Sequence, residues 1–198
     1  MSPYLAELIG TMFLVLFGNG VVANVLLSRT KGHDSGWVVI SAGWGVAVFI
    51  GAFCADEYSG AHLNPAVTTA MMLAGKMSVG TGFGYIVAQF IGAIIGSAAV
   101  YVFYREHFRV TSDPDAKLAC FSTAPAIRNL GQAFVCETIG TFALILPIFL
   151  IAAPSFVQGE VPGESDPTLG LGSLGLLPVG LLVFGIGMSL GGTTGYAI

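Results

Sequence analysis

The stretch of sequence that decides the fold reads SGAHLNPAV and spans residues 59–67. Asn64 is a favoured helix N-cap, and Pro65 suits the first helical position because the N–H that proline lacks would be unpaired there anyway. The apolar residues that continue from it, Ala66–Gly75, are only about half as many as the ~20 that a helix needs to cross a bilayer. The stretch therefore predicts a short apolar helix that begins at Asn64.

The rest of the chain has the composition of a membrane protein. Of its 198 residues, 55% are hydrophobic and 9% are charged, whereas soluble globular domains carry about 25% charged residues. The net charge is -4 and the basic residues form no run, which argues against a nucleic-acid partner. Three widely spaced cysteines suggest neither a metal site nor a disulfide framework. We therefore expect an all-α integral membrane protein without cofactors.

Apolar stretches long enough to cross a bilayer alternate with polar connections along the chain. Five are predicted as transmembrane spans, namely Tyr4–Leu27, Trp37–Ala55, Val79–Tyr104, Leu130–Ala152 and Leu174 to about Gly192. Arg105–Asn129 holds four of the seven basic residues, so we expect it to form a long ordered loop outside the hydrocarbon. Pro154–Asp166, which contains proline, glycine and three acids, is predicted as the next connection.

The short apolar helix lies between the second and third spans, which makes it a re-entrant half-helix. Backbone that ends at mid-membrane is tolerated only where protein buries it or a wet cavity accepts its hydrogen bonds. The N-terminal end of the helix carries a partial positive charge, and the Asn64 side chain offers amide hydrogens. Such an end would orient the oxygen of a passing water or hydroxyl and repel a cation, so the half-helix indicates a pore.

A weak internal repeat divides the chain into two parts. Residues 6–11, AELIGT, are echoed 130 residues later by CETIGT, and residues 59–64 have a fainter partner in TGYAI at 194–198. Because three spans separate the two starts, the repeats would insert with opposite orientations, as in inverted-repeat transporters. We predict one transmembrane channel domain over residues 1–198, an inverted-repeat helical bundle with a first repeat over about 1–104 and an incomplete second repeat over about 130–198.

The motif and its surroundings resemble the major intrinsic protein family of aquaporins and glycerol facilitators. The resemblance rests on Asn64-Pro65-Ala66, preceded by Ser-Gly-x-His-Leu and followed by Val-Thr. It extends through Glu7 with Gly10-Thr11, Gln89, Glu137 with Gly140-Thr141, and Gly195-Tyr196-Ala197. It implies six spans, two half-helices that meet at their Asn-Pro-Ala ends, and a homotetramer with one pore per protomer. The expected location is the lipid bilayer of the cell (plasma) membrane.

Four positions line a narrow filter in this family, near the extracellular mouth of the pore. Trp44, Gly187 and Tyr196 match three of them, and the fourth is an Arg that follows the second Asn-Pro-Ala. Aromatic walls with a small residue resemble the glycerol-conducting, aquaglyceroporin-like branch. The resemblance implies that Trp44 and Tyr196 offer apolar faces to a carbon backbone, while Gly187 widens the constriction. Leu63 before Asn64 indicates the same branch.

The residues directly before Asn64 form a segment that we call the pore loop, and they are expected to line the pore or to anchor this loop. These are Gly60, Ala61, His62 and Leu63, and the backbone carbonyls of Tyr58–Leu63 would replace a solute's hydrogen bonds to water. A lone His is more often a satisfied core residue. The position of His62 directly before Leu63 and Asn64 favours the pore-loop role.

Glu7 and Glu137 lie in predicted spans, where acids are costly unless they are paired. Glu7 could simply lie near a helix end and favour the first turn. The recurrence of the acid in both repeats favours buried carboxylates that accept backbone N–H groups of the pore loops. Trp37, the first residue of its span, fits the aromatic belt at the membrane–water interface.

The resemblance implies a passive, non-enzymatic channel for glycerol, water and similar small neutral solutes. In the family, the second Asn-Pro-Ala, the filter Arg, the second half-helix and a sixth span would follow Ile198. We expect the intact parent protein to conduct and the 198-residue chain alone not to conduct. One alternative is a naturally shortened, non-conducting subunit that associates with full-length channels. A membrane-embedded enzyme is the lesser alternative, because His33, His62 and His107 are dispersed and form no cluster with the cysteines.

Overall fold

The computed structural model describes residues 1–151, 155–157, 168–170 and 172–198. The helices in these ranges are α1 (Pro3–Leu26), α2 (Trp37–Ser59), α3 (Pro65–Leu73), α4 (Val79–Phe103), α5 (Arg105–Val110), α6 (Pro114–Ala119), α7 (Leu130–Leu150) and α8 (Leu177–Ser189). A 3-10 helix, Gly172–Leu176, precedes α8, and two strands, β1 (Ser155–Val157) and β2 (Thr168–Gly170), form an antiparallel pair. The predicted helical bundle is confirmed.

Four of the described helices, α1, α2, α4 and α7, are long and apolar enough to cross a bilayer. They confirm the first four predicted spans. The second continues to Ser59 rather than ending at Ala55, and the fourth ends at Leu150. The connection predicted over Pro154–Asp166 lies, apart from β1, outside the described residues.

The fifth predicted span is shorter than expected. The apolar helical segment there runs from Leu174 to Ser189, and α8 itself has 13 residues, about 20 Å at 1.5 Å per residue. The helix closes because the N–H groups of Leu190 and Gly191 both bond to the carbonyl of Ile186. The residues after Ser189 therefore form an irregular loop instead of a further helical turn.

The half-helix is present as α3, which has nine residues and a length of about 13 Å. This is less than half of the ~30 Å hydrocarbon thickness of a bilayer. It packs against α4 and α7. The re-entrant segment predicted over Ala66–Gly75 is thus confirmed, with its last helical residue at Leu73.

The segment predicted as a long loop, residues 105–129, contains two short helices, α5 and α6, of six residues each. Helices of this length are too short to show a hydrophobic period. Asp113 caps α6 by accepting a backbone N–H two residues on, at 2.8 Å. Thr111 Oγ1 accepts the N–H of Ser28 at 2.9 Å, and His107 Nδ1 donates to the Ser28 carbonyl at 3.0 Å. These bonds attach the segment to the end of α1.

Glycines allow the long helices to pack backbone against backbone. A Cβ added at Gly10 of α1 would lie 2.8 Å from the carbonyl oxygen of Gly51 on α2, and one at Gly51 would lie 2.7 Å from that of Gly10. Gly45 of α2 and Gly180 of α8 meet in the same reciprocal way, each 2.7 Å from the other's oxygen. Side chains larger than hydrogen would separate these helices, so the bundle depends on glycine there.

The outer surface of the bundle is strongly apolar. On α4, Phe83, Phe90 and Ile94 are each more than half exposed. A soluble monomer rarely exposes a continuous apolar surface of this kind, whereas lipid tails are an equally apolar environment. The exposed side of α4 is therefore suited to contact with lipid or with other apolar helices.

Candidate pore and filter

The pore motif forms the capped start of α3, as its sequence predicts. Asn64 Oδ1 accepts the N–H of Ala66 at 2.7 Å, and Pro65 is the first helical residue. The Asn64 Nδ2 atom donates to the backbone oxygen of Ile198 at 2.7 Å. Because a side-chain amide nitrogen carries two hydrogens, one remains to donate into the cavity that Asn64 lines.

The pore loop before Asn64 has a backbone conformation that favours glycine. Gly60, at the end of α2, has φ +77°, and Ala61 and Leu63 have φ +48° and +50°. For residues with a side chain this region costs of order 1–3 kcal/mol each and persists only where the surrounding structure holds it. Something outside the loop must therefore hold it in place.

The carboxylate of Glu7 holds the loop. It is fully buried, its Oε1 accepts the Ser59 hydroxyl at 2.6 Å and the His62 N–H at 2.9 Å, and its Oε2 accepts the Leu63 N–H at 2.8 Å. Gln89 Nε2 on α4 also donates to Oε2, at 2.8 Å. These four bonds fix the loop to α1 and α4.

A second chain of polar contacts fixes the His62 ring. Gln89 Nε2 donates to Thr68 Oγ1 at 2.9 Å, and that hydroxyl lies 3.2 Å from His62 Nδ1. The Thr68 hydroxyl can accept from Gln89 and donate to Nδ1 when neutral His62 carries its ring hydrogen on Nε2, and it can accept from both groups when that hydrogen is on Nδ1. His62 lines the cavity. Thr68 was not among the predicted site residues; a polar residue inside an apolar helix was the signal that could have identified it.

The second repeat reproduces this loop geometry. Gly195, Tyr196 and Ile198 have φ +88°, +43° and +21°, in the same order as the loop before Asn64. Glu137 Oε2 accepts the N–H of Ile198 at 3.1 Å, as Glu7 accepts the equivalent amide of Leu63. Unlike Glu7, Glu137 is only half-buried, and its Oε1 has no hydrogen-bond partner among the described residues. The inverted repeat is thus visible in backbone angles and in the role of the acid.

A cavity of about 1010 Å³ lies beside the motif. Polar groups in its wall come from the pore loop and Asn64 and also from Asn19, Ser97 and Asp115, and residues 121–126 and 195–198 contribute as well. Apolar side chains from α2, α3, α7 and α8 line another part, namely Val48, Val67, Leu144 and Val183. One wall can therefore exchange hydrogen bonds with a solute while another cannot.

Of the three predicted filter residues, Trp44 and Tyr196 line the cavity. The Trp44 ring fills the space beside Gly18, where a Cβ would collide with it. Gly187 is buried in α8, and the room it leaves is occupied by the Tyr196 ring, whose Cζ lies 2.9 Å from where a Cβ on Gly187 would be. Gly187 thus leaves room for the Tyr196 ring. The filter role of Trp44, Gly187 and Tyr196 stays a prediction.

Trp37, which the sequence places in the aromatic belt at the membrane interface, also contacts two of the predicted filter residues. Its indole N–H donates to the carbonyl of Gly187 at 2.8 Å, and its ring meets that of Tyr196. Sequence reasoning missed these contacts because only the tertiary fold brings the start of α2 to the end of α8. Among the residues that the structure describes, no group of three or more His, Cys, Asp or Glu side chains could hold a metal ion.

Comparison with known proteins agrees with this geometry. The model of the major intrinsic protein family matches residues 1–198. A Thermotoga maritima protein named "Probable glycerol uptake facilitator protein" is 46% identical over 198 residues, which are 100% of this chain and 79% of that protein. The "Glycerol uptake facilitator protein" of Streptococcus pneumoniae strain R6 is 41% identical with the same coverage.

A solved structure extends the comparison to the fold. The X-ray structure of the aquaglyceroporin from Plasmodium falciparum aligns with a TM-score of 0.76 and 29% sequence identity, and the alignment covers 98% of this chain and 74% of that chain. The four apolar helices and this likeness make the chain an integral membrane protein. It belongs to the major intrinsic protein family of membrane channels, and it is similar over its whole length to glycerol uptake facilitators.

Proposed function

We propose that the full-length protein is a passive channel for glycerol, water and similar small uncharged solutes. The observation that carries the proposal is the start of α3, where Asn64 caps a half-helix and lines a cavity with one polar and one apolar wall. The names of the relatives support glycerol as a solute. No covalent step is involved, since a solute only exchanges its hydrogen bonds with water for hydrogen bonds with the wall.

The electrostatics of the half-helix favour neutral solutes over cations. The N-terminal end of a helix carries about half a positive charge, and α3 directs this end at the cavity through Asn64. A cation entering there would be repelled and would lose hydration that the apolar wall does not replace. A hydroxyl or water oxygen accepts the remaining amide hydrogen of Asn64 and passes on.

Trp44 and Tyr196 would select among neutral solutes by their shape and polarity. Both rings line the cavity and belong to one cluster with Val67, Leu144 and Val183. Such a wall favours the carbon backbone of a polyol, while the hydroxyls face the pore loop. We further propose a homotetramer in the lipid bilayer of the plasma membrane, in which each protomer has its own pore.

The filter role of Trp44 can be tested by truncating its side chain to a methyl group. In proteoliposomes that contain the full-length protein, Trp44→Ala should lower the glycerol-to-water permeability ratio about fourfold, because contact with one CH2 group is worth about 0.8 kcal/mol. Stopped-flow light scattering measures both permeabilities in the same vesicles. Val46→Ala, an exposed truncation on the same helix, is the matched control, and equal ratios in the two variants would remove Trp44 from the filter.

The behaviour of the 198-residue chain by itself stays a prediction. We expect liposomes containing only this chain to take up glycerol no faster than empty liposomes. Rapid uptake that scales with the amount of chain would contradict this expectation.

A further inference from the structure

Trp37, the first residue of α2, contacts two of the three predicted filter residues. Its indole N–H donates to the carbonyl oxygen of Gly187 at 2.8 Å. Its ring lies edge-on to that of Tyr196, with centroids 5.8 Å apart and an interplanar angle of 81°. An edge-to-face pair at this distance is attractive and favours one relative orientation of the rings. One side chain thus acts on both the backbone and the aromatic wall of the filter.

The Gly187 carbonyl needs an outside donor because it lies in the last turn of α8. In a continuing helix it would accept the N–H of Gly191, but that N–H bonds to the carbonyl of Ile186 at 3.1 Å. The last carbonyls of a helix have no partner within the helix, and a buried carbonyl without a partner costs free energy. The Trp37 indole supplies the donor and ties the start of α2 to the end of α8.

Gly187 is also the surface on which the Tyr196 ring rests. A Cβ at Gly187 would lie 2.9 Å from the Tyr196 hydroxyl oxygen and 3.0 Å from the Cβ of Ser41. Ser41 follows Trp37 by one helical turn, so the same side of α2 lies against Gly187 at both residues. Because Tyr196 also lines the cavity, the position of this ring sets the space left for a solute.

We propose that Trp37 is a positioning residue of the filter, which fixes Tyr196 against Gly187 and thereby sets the width of the passage that Tyr196 and Trp44 line. The inference rests on the proposed channel function. Without the indole N–H, the end of α8 and the ring that rests on it lose one constraint. The ring then occupies a wider range of positions, and solutes longer than glycerol pass more readily.

The test compares Trp37→Phe with Val38→Ala in proteoliposomes of the full-length protein. Phenylalanine keeps an aromatic ring and removes the donor, while Val38 is the exposed neighbour on the same turn. The permeability ratio of a five-carbon linear polyol to glycerol should rise about threefold or more in Trp37→Phe, the size expected from one lost hydrogen bond, and stay at the wild-type value in Val38→Ala. A ratio is insensitive to the amount of folded protein. An unchanged ratio in Trp37→Phe overturns the proposal.

A second measurement needs no variant that might misfold. In the detergent-solubilised wild type, the indole N–H of Trp37 should exchange with solvent deuterium at least about tenfold more slowly than free indole, because it is bonded to the Gly187 carbonyl. Exchange at the free rate overturns the positioning role even if the channel conducts. Conversely, a wild type that passes no glycerol overturns the proposed function, whatever the exchange rate.

Discussion

Replacing Glu7 by Gln should loosen the pore loop, because an amide cannot accept the bonds that the carboxylate accepts. Glutamine has one acceptor oxygen and one NH2 group that only donates. If the NH2 group takes the place of Oε2, it faces the N–H of Leu63 and the amide of Gln89. If it takes the place of Oε1, the Ser59 hydroxyl can turn to its second acceptor, the Ala55 carbonyl at 3.3 Å, but the backbone N–H at residue 62 cannot.

Either orientation leaves one backbone N–H in the loop without an acceptor. A buried unsatisfied donor costs about 1–3 kcal/mol, and the remaining bonds lose their charge assistance, which adds about 1 kcal/mol. The expected decrease in the free energy of unfolding is therefore about 2–4 kcal/mol. For a protein of this size, 1 kcal/mol corresponds to about 2–4 °C in Tm, so the expected decrease in Tm is of order 5–15 °C.

Thermal unfolding of the full-length protein in detergent, followed by tryptophan fluorescence, measures this shift. The matched control is Glu57→Gln, the same chemical change at an exposed acid near the end of α2, which should change Tm by no more than about 2 °C. Hydrogen exchange should show faster exchange of the His62 or the Leu63 amide in Glu7→Gln and of neither amide in Glu57→Gln. If the two variants melt at the same temperature and exchange alike, the carboxylate of Glu7 does not hold the loop.

Two further predictions concern packing and reactivity. Gly92→Ala should lower the free energy of unfolding by about 1–3 kcal/mol, because a Cβ there meets the backbone carbonyl of Leu8. Gly80→Ala is the control on the same helix, since a Cβ there meets no atom within 4 Å. It should raise the free energy of unfolding by up to about 1 kcal/mol through helix propensity. Denaturant unfolding of both variants checks this, and equal stabilities would contradict it. Burial raises the pKa of the Cys120 thiol to about 11, so only about one thiol in a thousand is ionised at pH 8. Its alkylation in the folded protein should rise about tenfold per pH unit towards pH 11; a plateau by pH 9 would be inconsistent with that pKa.

The features of the site that depend on adjacent residues could be predicted from the sequence, whereas the hydrogen bonds between residues far apart in the sequence could not. Asn64 and Pro65 act on the backbone beside them, so the half-helix and its cap follow from adjacent residues. The bonds to Glu7 join residues more than fifty positions apart, and sequence indicated only that an acid in a span needs partners. The donors Ser59 and Gln89 became identifiable as partners once the helices were in place.

Short elements and helix ends were the other source of error. Helices α5 and α6 have six residues each and show no period, although Asp113 before Pro114 is the pattern of a capped helix start. The fifth span was extended too far because apolar residues continue to Leu190, while the bond from Gly191 back to Ile186 ends the helix. Composition predicts burial there, but it does not predict backbone angles.

The hold of Glu7 on residues 59–63 also has a consequence for biosynthesis. The ribosome makes α1 before α2, so Glu7 is synthesised 52 residues before Ser59 and before the two loop amides that it binds. Until α2 has been made, the ionised carboxylate has none of these partners, and an unpaired charge is costly inside the membrane. Completion of the pore loop then waits for α4, which brings Gln89. Helix α1 thus carries a group that becomes fully compensated only when α4 has been inserted.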